Sequence, residues 1–307
     1  MQSYMDKAID MGREDLPGIY YSASEASQSA QRTFLLLIKI NIGILIVLAL
    51  LSAVNVSSIE PQYQYLLPLA SAVIMIISII ITFATELGKY EKKWYDGRAI
   101  AESLKTLSWK FMMKAEPFYG LSKDEAEKKF LSDFKEIKDA IKPSGELFGG
   151  SIQANEHQLT DKMREVYASD LDTRKGTYQK NRINGQKKWY KNNSGKNSEK
   201  AGRFFWVIIG LQIFTVLSAL LMISMPDSFF NPTGLVTTAV AVLMTWMQVK
   251  QYRNLAESYG ITSTELSLIE DTIPNINTNE EFSGFVAESE TAISREHTLW
   301  RARRTIQ

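Results

Sequence analysis

Hydrophobic and polar positions fall into blocks along this chain. Four apolar runs, Phe34–Val54, Tyr65–Phe83, Phe204–Ile223 and Leu235–Val249, alternate with long, heavily charged stretches. A helix rising about 1.5 Å per residue crosses the hydrocarbon core of a bilayer in about 20 apolar residues. The pattern therefore predicts four membrane spans, at about 34–54, 65–84, 204–223 and 235–249. The last run is the shortest, and it spans only with Pro232–Gly234 and Gln248–Lys250 at the interfaces. Each hairpin is followed by the same short motif, RAIAES at Arg98–Ser103 and RNLAES at Arg253–Ser258. Gln31 before the first span and Gln186 before the third are separated by the same offset as these motifs, which points to duplication and divergence. The expected organisation is two related units, 1–145 and 146–307.

The polar stretches carry helical periodicity instead. SKDEAEKKFLSDFKEIKDAIK opens with Ser122 and Glu125 at capping-box spacing, which satisfies orphan amide donors at a helix start. Ala126, Phe130, Phe134, Ile137 and Ile141 recur every three or four positions on one face. Asp124–Lys128 and Glu125–Lys129 add acid-before-base pairs. The helix should stop at Lys142–Pro143, and the SGELFGG that follows reads as the domain boundary. Leu159, Met163, Val166 and Leu171 predict a further amphipathic helix leading into the basic stretch, and Phe282, Phe285, Val286, Ile293, Leu299 and Trp300 a last one. Lys191–Gly202 is either a break between helix and span or a polar helix start. No stretch alternates as a strand should. The expected fold is an all-α membrane protein, two transmembrane hairpins with long cytosolic helices packed into a bundle.

Charge sets the orientation. NVSSIEPQYQY and MPDSFFNPTG, which link the spans of each hairpin, contain no lysine or arginine. Arg32, Lys89, Lys92, Lys93 and Arg98 flank the first hairpin on its other side, and Lys187–Arg203, Lys250 and Arg253 flank the second. Positive charge near span ends stays cytoplasmic. Both hairpins should thus point the same way, with both termini in the cytosol and Trp206 and Trp246 near the cytoplasmic interface. The first 30 residues lack the basic-then-apolar layout of a cleavable signal. Zero cysteines exclude disulfides and thiolate chemistry, and a net charge of +1 creates no field that would favour nucleic acid.

Chemistry-bearing residues are few. Arg98 and Glu102, like Arg253 and Glu257, sit four apart on one helix face. Base-before-acid is the weaker intrahelical order, which favours partners elsewhere, such as the segment before each hairpin. We expect these four to pin the bundle, with Trp94 and Trp189 as neighbouring anchors. Polar residues inside the spans are Lys39, Asn41, Ser78, Thr82, Gln212, Thr215, Ser218, Thr237, Thr238 and Thr245. Such residues turn to the protein interior, line a watery path or mediate helix contacts, and Lys39, about one turn in, can snorkel outward. No mid-membrane carboxylate exists to relay protons. The basic run Lys187–Arg203 either attracts anionic headgroups or fixes topology, and Trp189 and Tyr190 within it suit a base stack or an interface. His157 and His297 occupy separate units without thiols, so no metal or cofactor site is expected. Neither a Walker loop nor a dinucleotide fingerprint nor a G-x-S-x-G elbow is present, and no enzyme activity is expected.

DLPGIYYSASEASQSAQRTF before the first span and KKWYDGRAIAESLKTLSWKFMMKAEPF after the second resemble one subtype of the SLATT family. These are two-span effector domains associated with SMODS nucleotidyltransferases and SLOG sensors in bacterial conflict systems. YQKNRINGQKKWY, RNLAES and FVAESETAISREHTLW in the second half are similar to another subtype. There SYGITST replaces the tryptophan-containing SLKTLSWKF. The resemblance implies an inner-membrane effector that answers a cyclic oligonucleotide or a nucleotide-sensing protein partner by forming a homo-oligomer and permeabilising the membrane. The rival readings are a non-conducting, membrane-anchored scaffold and a small ion channel.

Overall fold

The computed structural model describes residues 4–139 and 157–305. Ile141, the stop at Lys142–Pro143 and the boundary after it lie outside the described residues, as do the side chains of His297, Leu299 and Trp300. Ten α-helices make up most of the described chain: α1 (Gly18–Ser52), α2 (Leu66–Gly88), α3 (Tyr90–Met112), α4 (Lys123–Asp139), α5 (Asp161–Ala168), α6 (Leu171–Tyr178), α7 (Gly185–Ser224), α8 (Pro232–Lys250), α9 (Tyr252–Thr272) and α10 (Asn279–Thr305). A π-helical segment, Gln179–Asn184, joins α6 to α7. Among the described residues there is no β-strand, only an isolated antiparallel bridge between Val54 and Phe230. The chain packs as two units: a span unit of residues 31–90 and 195–256, and a polar unit built from the remaining residues.

Four helical stretches are long and apolar enough to cross a membrane. In the span unit the apolar side chains face outward: Leu69, Val73, Ile76, Ile80 and Phe83 of α2, and Phe214, Leu217, Leu220 and Leu221 of α7, are all exposed. In water so large an apolar surface would be costly at about 25 cal/mol per Å², whereas lipid makes it the favourable outside. Inside, α1 and α2 are tied by hydrogen bonds. Ser78 Oγ donates to Asn41 Oδ1 at 2.6 Å, and Asn41 Nδ2 donates to Thr82 Oγ1 at 3.3 Å. The two hairpin turns, between α1 and α2 and between α7 and α8, are stitched together by Asn55 N donating to Phe229 O and Asn231 N donating to Ala53 O, both at 2.8 Å. Lys39 Nζ lies 5.6 Å from the Trp246 ring centroid, and the Lys250 ammonium sits over the same indole at 5.9 Å. That arrangement fits a lysine reaching toward the end of its span.

Both hairpins leave their spans through a single left-handed residue. Lys89 (φ 47°) separates α2 from α3, and Gln251 (φ 49°) separates α8 from α9. By contrast, α7 runs unbroken through Lys191–Gly202, which belongs to neither a break nor a helix start but to the polar middle of a 40-residue helix.

Aromatic packing cores the polar unit. Phe111 stacks on Tyr167 at 4.8 Å between centroids and meets Phe130 at 5.1 Å, joining α3, α4 and α5. The Ser122 capping box forms as the spacing predicts: Ser122 Oγ donates to Glu125 Oε2 at 2.6 Å and Ser122 N to the same oxygen at 2.9 Å, and together they hold that carboxyl below its usual range. Because Glu125 is committed to the cap, Lys129 pairs forward with Asp133 at 2.6 Å rather than back to Glu125. The expected single helix through Leu159–Leu171 is two short ones. Thr160 caps α5, and Asp170 starts α6 by accepting from Thr173 N at 2.7 Å. An acceptor side chain at Asp170 competes with helix continuation and begins a new cap instead.

Asn41 therefore carries the α1–α2 contact. Replacing it with leucine should lower the resistance of the detergent-solubilised protein to unfolding by about 0.6–2 kcal/mol. Ser78→Ala added to that variant should cost little more, because both changes break one network.

Candidate functional site

The Arg-x-x-Ala-Glu-Ser motifs lie in different surroundings. In the first, α3 packs tightly against the start of α1. Ser27 Oγ donates to the Trp94 carbonyl at 2.8 Å, and a Cβ at Gly97 would approach the Ala23 carbonyl to 3.1 Å, a tight fit between the two helices. Trp94, Ile100, Ala101 and Leu104 are buried along this contact, and Trp94 stacks on Tyr95 at 4.6 Å. Arg98 and Glu102 are half-buried, and Glu102 acts electrostatically on Tyr20 of α1, whose phenol is raised by burial and then by that carboxylate. The segment preceding the hairpin thus does face Glu102. In the second motif Arg253 and Glu257 are exposed and have no hydrogen bond or ion pair among the described residues. Trp189 is largely exposed, but its edge contacts Tyr190 and Tyr259, each at 5.1 Å, where α7 meets α9. Of the polar span residues, Asn41 joins the Ser78–Thr82 network described above. Thr215 donates to its own helix at Leu211 O (2.9 Å), and Gln212 is exposed.

The densest charged site in the polar unit is one that the motif spacing does not single out. Arg182, in the π-helical segment, and Glu290, in α10, are both essentially inaccessible. Arg182 Nε donates to Glu290 Oε1 at 2.8 Å and Nη2 donates to Oε2 at 2.7 Å, a bidentate fork. Tyr178 OH donates to Oε1 at 3.0 Å, and Thr106 Oγ1 of α3 donates to Oε2 at 2.9 Å. Three stretches distant in sequence (α3, the α6–π junction and α10) therefore converge on one carboxylate. Burial disfavours the Arg182 charge, and the field and hydrogen bonds of Glu290 more than restore it. Tyr178 is raised well above the usual phenol range by burial and by Glu290, so it stays protonated and donating. Nearby, Lys105 is lowered by burial and by Arg182, with Glu102 and Glu290 opposing. Arg182 Nη1, Trp109 Nε1 and Asn184 Oδ1 are buried without a hydrogen-bond partner among the described residues. Signals for this site existed in the chain: Glu290 falls on the Phe282–Val286–Ile293 stripe, where an apolar residue was due.

Two more cations hold the same unit. Arg174 Nη1 donates to the Met113 carbonyl at 2.8 Å, and Lys175 Nζ donates to the Ile276 carbonyl at 2.6 Å. The segment before α1 crosses α6 at Gly176, where a Cβ would meet the Tyr4 carbonyl at 2.3 Å. Thr177 Oγ1 and Asn181 Oδ1 accept from the backbone of Ile9 and Met11 at 3.0 and 3.3 Å. A cavity of about 530 Å³ opens where that segment approaches α5, bordered by Glu14, His157, Asp161 and Arg164. Among the described residues no three metal-ligating side chains gather. What the Arg182 cluster can do is hold: displacing the π-helical segment or α10 strands a charge, and displacing α3 takes a hydrogen bond from the shared carboxylate.

Four apolar helices sharing a chain with an all-helical polar unit define a multi-pass α-helical membrane protein. Residues 17–175 match the family model of the SMODS and SLOG-associating 2TM effector domain 3, and residues 178–300 match that of effector domain 1. The chain belongs to the SLATT family, with two different subtypes in tandem. No curated protein and no solved structure matches it. Arg182 and Glu290 both lie in the second match.

Glu290→Gln should destabilise the folded protein by about 3–5 kcal/mol in thermal or denaturant unfolding, because it leaves Arg182 buried and uncompensated. Arg182→Met combined with Glu290→Gln should recover much of that loss. A change under about 1 kcal/mol for the single variant would show that the pair does not hold the unit.

Proposed function

We propose that this protein is an inner-membrane effector of a bacterial conflict or antiphage system, which assembles and permeabilises the membrane when its helical unit is engaged. Both termini and the polar unit lie in the cytosol, because the outer turns carry no lysine or arginine while the other flanks are rich in both. The protein acts by changing assembly rather than by catalysis. The observation that carries the reading is the tandem match to two effector-domain models over four lipid-exposed spans. A nucleotide signal, in the form of a cyclic oligonucleotide or a sensor protein that reads one, supplies the trigger.

The physical requirement on that trigger is differential binding. To move a dormant state from 1:99 to 99:1 it must favour the active state by about 10⁴-fold, or roughly 5.5 kcal/mol. The buried Arg182–Glu290 cluster is a sensible place for the resting state to store such a preference, since it ties three separate stretches through one carboxylate. Arg98 and Glu102 pin the neighbouring α1–α3 contact, and Arg253 and Glu257 are exposed for contacts made only on assembly. Self-association is needed for conduction, as each chain brings four spans whose hydroxyls are mostly spent on their own helices.

Dye release from liposomes holding the purified protein should rise on addition of a cognate cyclic oligonucleotide or a sensor partner, and stay low without one. Well-folded, correctly oriented protein that binds a partner stably yet never leaks would overturn the pore and support a membrane-anchored scaffold. Leakage without any inducer would favour a small ion channel.

A further inference from the structure

Gln212 lies near the middle of its span, roughly 12 Å along the axis from Phe204 and roughly 17 Å from Ile223. Its side chain is exposed and bonds to nothing among the described residues. The seven hydroxyls named above within the spans are accounted for. Thr215, Ser218, Thr237, Thr238 and Thr245 donate to carbonyls one turn back at 2.8–2.9 Å, and Ser78 and Thr82 belong to the Asn41 network. Back-bonding of this kind is open to a short hydroxyl; a glutamine amide, with two donors and an acceptor on a long stem, is left over. Hydrocarbon offers it no partner, and unsatisfied polar groups there cost several kcal/mol.

We infer that α7 is the surface on which a second copy of this chain docks, through a symmetric contact centred on Gln212. The inference rests on the assembly part of the proposed function and supplies its interface. An amide is self-complementary, so across a two-fold axis the same residue gives and receives both hydrogen bonds. The partner must reach this depth, which requires another membrane-embedded chain. Phe205, Val216 and Ala219 share the face of Gln212 at helical spacing, and all three are exposed. Ala219 is small enough to let two helices approach closely. Ile208, one turn before Gln212, is buried inside the chain's own span unit, as is Ser218, and so borders this face on that side; Leu217 and Leu221 point elsewhere into lipid.

The absence of native cysteine makes the test clean. Single cysteines are placed at Val216, Ala219, Leu217 and Leu221 in the full chain, which is purified, reconstituted alone in liposomes and oxidised. Val216→Cys and Ala219→Cys should give disulfide dimers, which need Cα atoms within about 7 Å. Leu217→Cys and Leu221→Cys should not. Adding Gln212→Leu to Val216→Cys should weaken association about three- to thirtyfold, and Gln212→Asn should retain more of it. Equal crosslinking at all four positions, none at Val216 and Ala219, or indifference to Gln212→Leu would overturn the inference; the second of these would leave some other membrane protein as the partner of this face. Leakage is measured on the same samples. Dimers of the expected pattern without leakage support the interface and not the pore, while triggered leakage without that pattern keeps the pore and removes this interface.

Discussion

Hydrocarbon supplies no hydrogen bonds, and that one constraint shapes the span unit of this protein. Each backbone amide in a span must be satisfied within its own helix, so the spans are uninterrupted helices and their breaks are displaced to the ends. Lys89 and Gln251 take left-handed conformations just where α2 and α8 stop, and α7 continues through a glycine- and asparagine-containing stretch that would fray in a shorter helix. The same constraint decides the side chains. Span hydroxyls fold back onto carbonyls, Asn41 closes a network with Ser78 and Thr82, and Gln212 alone among the named span amides is left reaching outward.

Outside the spans the chain solves the opposite problem, burying charge where apolar residues would suffice. The Arg182–Glu290 fork is fully desolvated, and a buried ion pair of this kind is weak evidence for stability taken alone. Its value lies in geometry: a bidentate guanidinium, a phenol and a threonine hydroxyl meet one carboxylate and fix the mutual register of α3, α6 and α10. Such a cluster resists gradual deformation, since half-satisfied it is worse than absent.

The spans, the all-helical class and the Ser122 cap were legible because each is a local signal: run length, period, or a three-residue spacing. A second capping box at Thr278 and Glu281 carried the same spacing and formed as well. Glu290 on an apolar stripe was a signal, but the buried cations were not legible, since arginine and lysine on a helix ordinarily read as a solvated face. Arg174, Lys175 and Arg182 precede the basic run Lys187–Arg203 without a local mark of their own, and only tertiary packing distinguishes them. The two Arg-x-x-Ala-Glu-Ser motifs looked equivalent, yet their helices begin at different distances from them: Tyr90 is well before Arg98, whereas Tyr252 immediately precedes Arg253. Identical residues therefore meet a packed α1 in one case and solvent in the other. Two subtypes in tandem, rather than two copies of one, account for that divergence.

The orientation of the hairpins is the claim on which the whole account stands, and impermeant maleimide labelling of single-cysteine variants in intact cells tests it most directly. Ser58→Cys and Asp227→Cys, in the outer turns, should label from outside, whereas Lys128→Cys and Thr264→Cys should label only after the membrane is opened. External labelling of Lys128→Cys or Thr264→Cys, or protection of either outer turn until permeabilisation, would contradict it.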